Sequence, residues 1–182
     1  GMPPSLATFY TAELLNALEY MHTRCISHRD IKPENLLVAA DGHLRLADFG
    51  TAKDFAQRDL NGQEFVGTAE YMSPEAIDSK VTGPETDLWA VGCLVYQLFC
   101  GESPFKAPSP YLSFLKIRRA RVPPCPDALP PAAHALVEGL LQKDRTARLR
   151  FATGRDPPRG WLRRLVGGNP AEVPGLPIDP SL

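Results

Sequence analysis

The run HRDIKPEN, residues 28–35, gathers Asp30, Lys32 and Asn35 into one short stretch. A carboxylate can orient a hydroxyl and take its proton, and an ammonium holds an anionic oxygen as a point charge. An amide oxygen is a ligand for a hard cation. Polar residues at this density suggest a loop built around a charged ligand. A second carboxylate, Asp48, follows in ADFG. Between them, the apolar runs Leu36–Val38 and Leu44–Leu46 flank Asp41-Gly42, a tight-turn signal. Leu44 and Leu46 alternate with His43 and Arg45 at strand period. Residues 36–47 are therefore expected to form a β-hairpin, with Asn35 just before its first strand and Asp48 just after its second. Antiparallel pairing brings those open ends together, an arrangement that suits a hard cation. Asp and Asn also favour plain turns, which accounts for each residue singly but not for the joint pattern.

The surrounding elements must position these groups. Residues 5–24 carry Leu6, Phe9, Leu14, Leu18 and Met21 near helical spacing behind Pro3 and Pro4, and predict an amphipathic helix leading into the loop. Residues 49–75 show little periodicity and predict a long functional or disordered loop. The uncharged run LWAVGCLVYQLFC has 13 residues, well short of the roughly 20 that span a bilayer. Apolar on all sides, the helix over 84–100 belongs at the centre of a core. Residues 101–131 are Pro-rich, with a short helix near YLSFLKIRRA, and 132–143 predict another amphipathic helix. From 151 the chain turns Pro- and Gly-rich, with six Pro and five Gly in the tail, and is expected to be poorly ordered.

Length and composition fit one domain, or a large piece of a bigger protein. The chain has 182 residues, 43% hydrophobic, with a net charge of −1, so nothing pulls it as a whole towards nucleic acid or an acidic membrane. The opening GMPPSLATFY shows neither the basic nor the apolar part of a secretory signal. Four cysteines without a CxxC pair read as free, mostly buried thiols of a reducing compartment, and a cytoplasmic location is expected.

Taken in order, HRDIKPEN, DFG, GTAEYMSPE, TDLWAVGC and Arg148 resemble the C-terminal lobe of the eukaryotic protein kinases over residues 5 to about 150. The Lys two places after Asp30 and the GT ahead of SPE are similar to the Ser/Thr kinases. HRDIKPENLL, DFGTAK, FVGTAEYMSPE, DLWAVGCLVYQL and FYTAELLNALEYMH are most like the phosphoinositide-dependent kinases of the AGC group. The resemblance implies an α+β fold, mostly α, with one small hairpin. Residues 1–150 would be a partial catalytic domain and 151–182 a tail. It implies transfer of the γ-phosphate of ATP, with Mg²⁺, to Ser or Thr hydroxyls of protein substrates, other AGC kinases among them.

Site roles follow from the same resemblance. Asp30 would orient the substrate hydroxyl, Lys32 hold the γ-phosphate, and Thr68 bond to that pair. Asn35 and Asp48 would hold Mg²⁺, Leu37 would floor the adenine pocket, and Glu34 would lie near the ribose. Asp87 would anchor the backbone of the HRD loop. Glu75 and Arg148 would form a buried ion pair holding the substrate-binding segment.

Three departures from the family pattern stand out. No GxGxxG run occurs and no Lys precedes Lys32, so the N-terminal lobe is expected to be absent and ATP to have a floor without a roof. That leaves room for a lobe supplied in trans, or for a rival reading as a non-catalytic scaffold or decoy. Glu64 stands where the phosphoinositide-dependent pattern has a Ser. One carboxylate charge there approximates the −1.5 to −2 of a phosphoserine, and would pair with Arg29 and Lys53. An ordinary surface Glu is the alternative. Lastly, the Pro/Gly-rich tail replaces the closing helix.

Overall fold

The computed structural model describes residues 1–55, 67–119, 122–123 and 129–150. Glu64 and the tail 151–182 lie outside them. Helix α1, Pro4–Thr23, starts on a proline at the position where a missing N–H costs nothing. Its buried residues Ala7, Thr11, Leu14, Leu15, Leu18 and Met21 form one continuous stripe. The chain turns through Cys25, at φ 60°, into the short strand β1, Ile26–Ser27. The loop in question follows and closes in a single 3-10 turn, Pro33–Asn35.

Strands β2, Leu36–Val38, and β3, Leu44–Leu46, pair antiparallel with Leu36 opposite Leu46 and Val38 opposite Leu44. Gly42, at φ 85°, completes the turn between them. The expected hairpin is therefore present. It is docked on α1 by Glu13, whose carboxylate accepts from the Leu44 amide at 2.7 Å and bonds the His43 ring at 2.5 Å.

The segment expected to be one long loop is more structured than its sequence suggests. Strand β4, Lys53–Asp54, pairs with β1, with Ile26 opposite Asp54. Two 3-10 turns, Phe49–Thr51 and Ala69–Tyr71, flank residues 56–66. Helix α2, Pro74–Ser79, begins inside the same stretch, capped by Ser73 Oγ accepting from the Ala76 amide at 3.3 Å. Elements of two to six residues carry no periodicity to read, which is why pattern alone missed them.

Helix α3, Pro84–Cys100, is the centre of the fold. Every residue from Leu88 to Tyr96 is buried, as an all-round apolar helix requires, and Gly101 ends it at φ 92°. Trp89 and Phe105 stack 5.4 Å apart at 9°. Helices α4, Pro110–Arg119, and α5, Pro131–Leu140, follow. Among the described residues, no helix is long and apolar enough to cross a membrane.

The cysteine reading needs correction. Cys25 and Cys93 are free, but Cys100 is disulfide-bonded. Sequence spacing shows CxxC pairs but does not reveal a disulfide made outside such a pair. Burial pushes the Cys93 thiol well up, so it behaves as a small apolar core group.

Gly92 lets α5 close on α3. A Cβ at that position would lie 2.7 Å from Leu141 Cδ2 and 3.0 Å from Leu140 Cβ. Gly92→Val is expected to destabilise the fold by about 1–3 kcal/mol, read as a lowered midpoint in urea or thermal unfolding.

Candidate active site

The HRD loop is built around an unfavourable backbone. Arg29 adopts φ 72°, a left-handed conformation that costs a β-carbon-bearing residue about 1–2 kcal/mol. Asp87, in the first turn of α3, holds it there. Its two oxygens accept from the His28 amide at 2.9 Å and the Arg29 amide at 2.7 Å. His22, near the end of α1, bonds the same carboxylate through Nε2 at 2.9 Å, and the Asp87 side chain is fully buried. A buried carboxylate receiving three bonds is a strong fixed point.

The loop is also gripped from its other side. The fully buried His28 ring bonds the Ala47 carbonyl at 3.0 Å and meets Phe49 edge-on at 5.2 Å. Thr51 donates to the His28 carbonyl at 2.9 Å, and Arg29 Nε donates back to the Thr51 carbonyl. The HRD loop and the DFG segment are thus one bonded unit.

At the loop's centre, Asp30 collects the surrounding polar groups. Lys32 Nζ donates to Asp30 Oδ2 at 2.6 Å, and Thr68 donates to Asp30 Oδ1 at 3.2 Å. Lys32 also reaches Thr68 Oγ1 at 3.2 Å. The Asn35 amide nitrogen donates to the Asp30 carbonyl at 2.8 Å. Gly67, at φ 108°, carries Thr68 into this cluster; a Cβ on Gly67 would lie 3.2 Å from the Arg29 carbonyl.

The remaining predicted residues are more spread out. Leu37 is 54% exposed on β2 and presents an open apolar surface. Asp48 is exposed at φ 61°, its carboxylate accepting from the Gly50 amide at 3.3 Å. The Ala47 amide donates to the Asn35 carbonyl at 2.9 Å, so the ends of the hairpin do meet. Glu34 is exposed on its turn. It lies close enough to Tyr71 that, after burial and Glu70, its charge helps push the Tyr71 phenol up. Tyr71 is therefore neutral, and its O–H donates to Gln97 at 2.5 Å. Lys53 lies on β4, while Glu64, its expected neighbour, falls outside the described residues. Arg29 spends its Nε on Thr51.

The donor set suits a nucleotide and a hard cation. The Asn35 amide nitrogen is committed to Asp30, which leaves its oxygen as the free ligand atom. The bond from Gly50 uses one Asp48 oxygen and leaves the other. Among the described residues no three His, Cys, Asp or Glu side chains form a cation cage by themselves. Two protein oxygens completed by phosphate oxygens is how Mg²⁺ is commonly bound.

Behind this cluster, Glu75 and Arg148 pair bidentately at 2.6 and 3.0 Å. Arg148 also donates to the Glu85 carbonyl at 2.7 Å and the Gln142 carbonyl at 3.0 Å, and lies 5.0 Å over the Trp89 ring. The pair ties α2 to α3 and to the chain after α5.

Residues 1–156 match the family model described as protein kinase domain. The chain belongs to the protein kinase family. It is 47% identical over 143 residues to the human 3-phosphoinositide-dependent protein kinase 1, covering 78% of this chain and 26% of that protein. It is 43% identical over 152 residues to the Arabidopsis thaliana 3-phosphoinositide-dependent protein kinase 1, covering 78% of this chain and 31% of that one. A serine/threonine-protein kinase of Cryptococcus neoformans is 36% identical over 148 residues, covering 78% of this chain and 12% of its own length. The chain thus spans about a quarter of the human relative's length.

Within this kinase domain, sequence reasoning passed over His22 and Thr51. Both act through bonds that span long separations, 65 residues from His22 to Asp87, and no spacing rule signals such a link. The structure places the Arg148 side chain fully buried, with four acceptor atoms around it. Arg148→Ala leaves the Glu75 charge without its partner and is expected to cost about 3–5 kcal/mol in chemical unfolding, whereas adding Glu75→Gln should recover part of that loss.

Proposed function

We propose that this chain is the catalytic portion of a protein serine/threonine kinase that transfers the γ-phosphoryl group of ATP to a Ser or Thr hydroxyl of a protein substrate. The observation that carries this reading is the Asp30 carboxylate, braced by Lys32, Thr68 and Asn35 on a loop whose backbone Asp87 holds. Asp30 orients the incoming hydroxyl and takes its proton. Lys32, bonded to Asp30 and Thr68, lies where its ammonium can shift to a phosphoryl oxygen. Thr68 keeps Asp30 in one rotamer. The Asn35 amide oxygen and the Asp48 carboxylate would hold Mg²⁺, which would neutralise charge on the phosphates. Leu37 supports the adenine, and Glu34 lies near the ribose.

In this reading residues 1–150 correspond to the C-terminal lobe, and the remaining contacts to ATP come from an N-terminal lobe, joined to this segment or supplied in trans. The resemblance of the motifs to the AGC group supports other AGC kinases as the protein substrates, in a cytoplasmic setting. The scaffold or decoy reading is not favoured, because Asp30, Lys32, Asn35 and Asp48 are all present and Asp30 and Lys32 are bonded to each other.

The test is transfer of labelled phosphate from Mg-ATP to matched Ser, Thr and Tyr peptides, with an N-terminal lobe present. Transfer to Ser and Thr but not Tyr is expected, with Asp30→Asn lowering the rate about 10²–10⁴-fold. Equal transfer to Tyr, or an unchanged rate in Asp30→Asn, would overturn the assignment.

A further inference from the structure

Helix α4 carries more apolar surface than the core uses. Ser113 and Ile117 are buried, and Phe114 packs against the core, so the inward face is complete with these three. A second stripe runs beside it. Leu112, Leu115, Lys116 and Arg119 stand at i, i+3, i+4 and i+7, which places them along one side of the helix. With Ala107 and Pro108 as the opposite wall, they line a solvent-open groove of about 410 Å³. That size accommodates a few side chains and falls within the range of ligand clefts. Leu112 is 42% exposed, and the neighbouring Tyr111 is 66% exposed.

The groove is polarised. Its N-terminal half is apolar, through Leu112 and Leu115, and its C-terminal half is basic, through Lys116 and Arg119. Arg118, next to Arg119, turns away to pair with Asp78 at 2.6 Å. Lys116 donates to the Lys106 carbonyl, which leaves its charge uncancelled. Arg119 has no hydrogen bond or ion pair among the described residues. An apolar floor that ends in uncancelled positive charge selects an occupant with apolar anchors and acidic flanks.

We infer that this α4 groove is a docking site for an acidic amphipathic segment of another protein, with two apolar side chains three or four residues apart seated over Leu112 and Leu115, and a carboxylate beside Lys116 and Arg119. A peptide fits better than a lipid surface because the groove ends in only two uncancelled cations, Lys116 and Arg119, whereas faces that bind acidic membranes cluster about four to eight. The inference concerns binding alone and does not depend on the phosphoryl-transfer reading.

The probe is a displayed random dodecapeptide library selected against the intact chain, followed by fluorescence anisotropy of the enriched peptides. Leu112→Glu and Arg119→Glu change exposed side chains and leave the core untouched, and circular dichroism confirms that each variant folds. Enriched peptides are expected to pair two apolar residues with Asp or Glu, and each variant should weaken them at least about tenfold. No enrichment, enrichment of basic or uncharged peptides, or affinity unchanged in Arg119→Glu would overturn the proposal. So would self-association of the chain that Leu112→Glu abolishes, since the groove would then receive a second copy. Adsorption to phosphatidylserine vesicles lost in Arg119→Glu, without peptide binding, would assign it to a lipid surface instead.

Discussion

The Asp87 carboxylate is the constraint on which the site depends. Its two oxygens bind the amides of His28 and Arg29, and Arg29 holds a left-handed backbone that its side chain disfavours. Asp87 can serve because α3 is an immovable base. It is buried from Leu88 to Tyr96 and packed against α1 and α5, with α5 closing on it at Gly92. A charge in the first turn of a helix also gains from the positive end of the helix dipole. Core packing thus becomes backbone position, and backbone position places Asp30.

The same logic recurs around the site. His28 lies buried in the loop and bonds the strand that leads into Asp48, and Thr51 bonds back to His28. Glu13 pins the hairpin to α1, so the two hairpin ends carrying Asn35 and Asp48 are positioned from the far end as well. The Glu75–Arg148 pair spans three parts of the chain. Its bonds to the Glu85 and Gln142 carbonyls make it a junction between α2, α3 and the segment beyond α5. A desolvated pair of this kind adds less to net stability than to uniqueness of arrangement, and here it holds the stretch after Thr68 on the α3 base.

Much of this was legible in the residues, and the exceptions are instructive. The helices α1, α3, α4 and α5 and the β2–β3 hairpin all declare themselves through periodicity, prolines and the Asp41-Gly42 turn. The clustering of Asp30, Lys32 and Asn35 is visible because they are neighbours in the chain. By contrast, β1 and β4 are two-residue strands, α2 is a helix of six residues, and neither length supports a periodic signal. His22 carries no signal in the sequence, since its partner lies 65 residues away. Cys100 looked like a free thiol because no CxxC pair signals its disulfide. Asp87 and Thr68 entered only through family resemblance, and their geometric meaning comes from the fold.

The most direct measurement of the central claim is amide hydrogen exchange at His28 and Arg29, followed by NMR in the native chain and in Asp87→Asn. Replacing the carboxylate by an amide removes charge-assisted bonds worth about 1.5–3 kcal/mol, so exchange at those two amides should quicken at least about tenfold while the α3 core amides change less. Exchange at His28 and Arg29 that stays at native rates in a folded Asp87→Asn protein would show that the loop is held by other means, and would contradict the account.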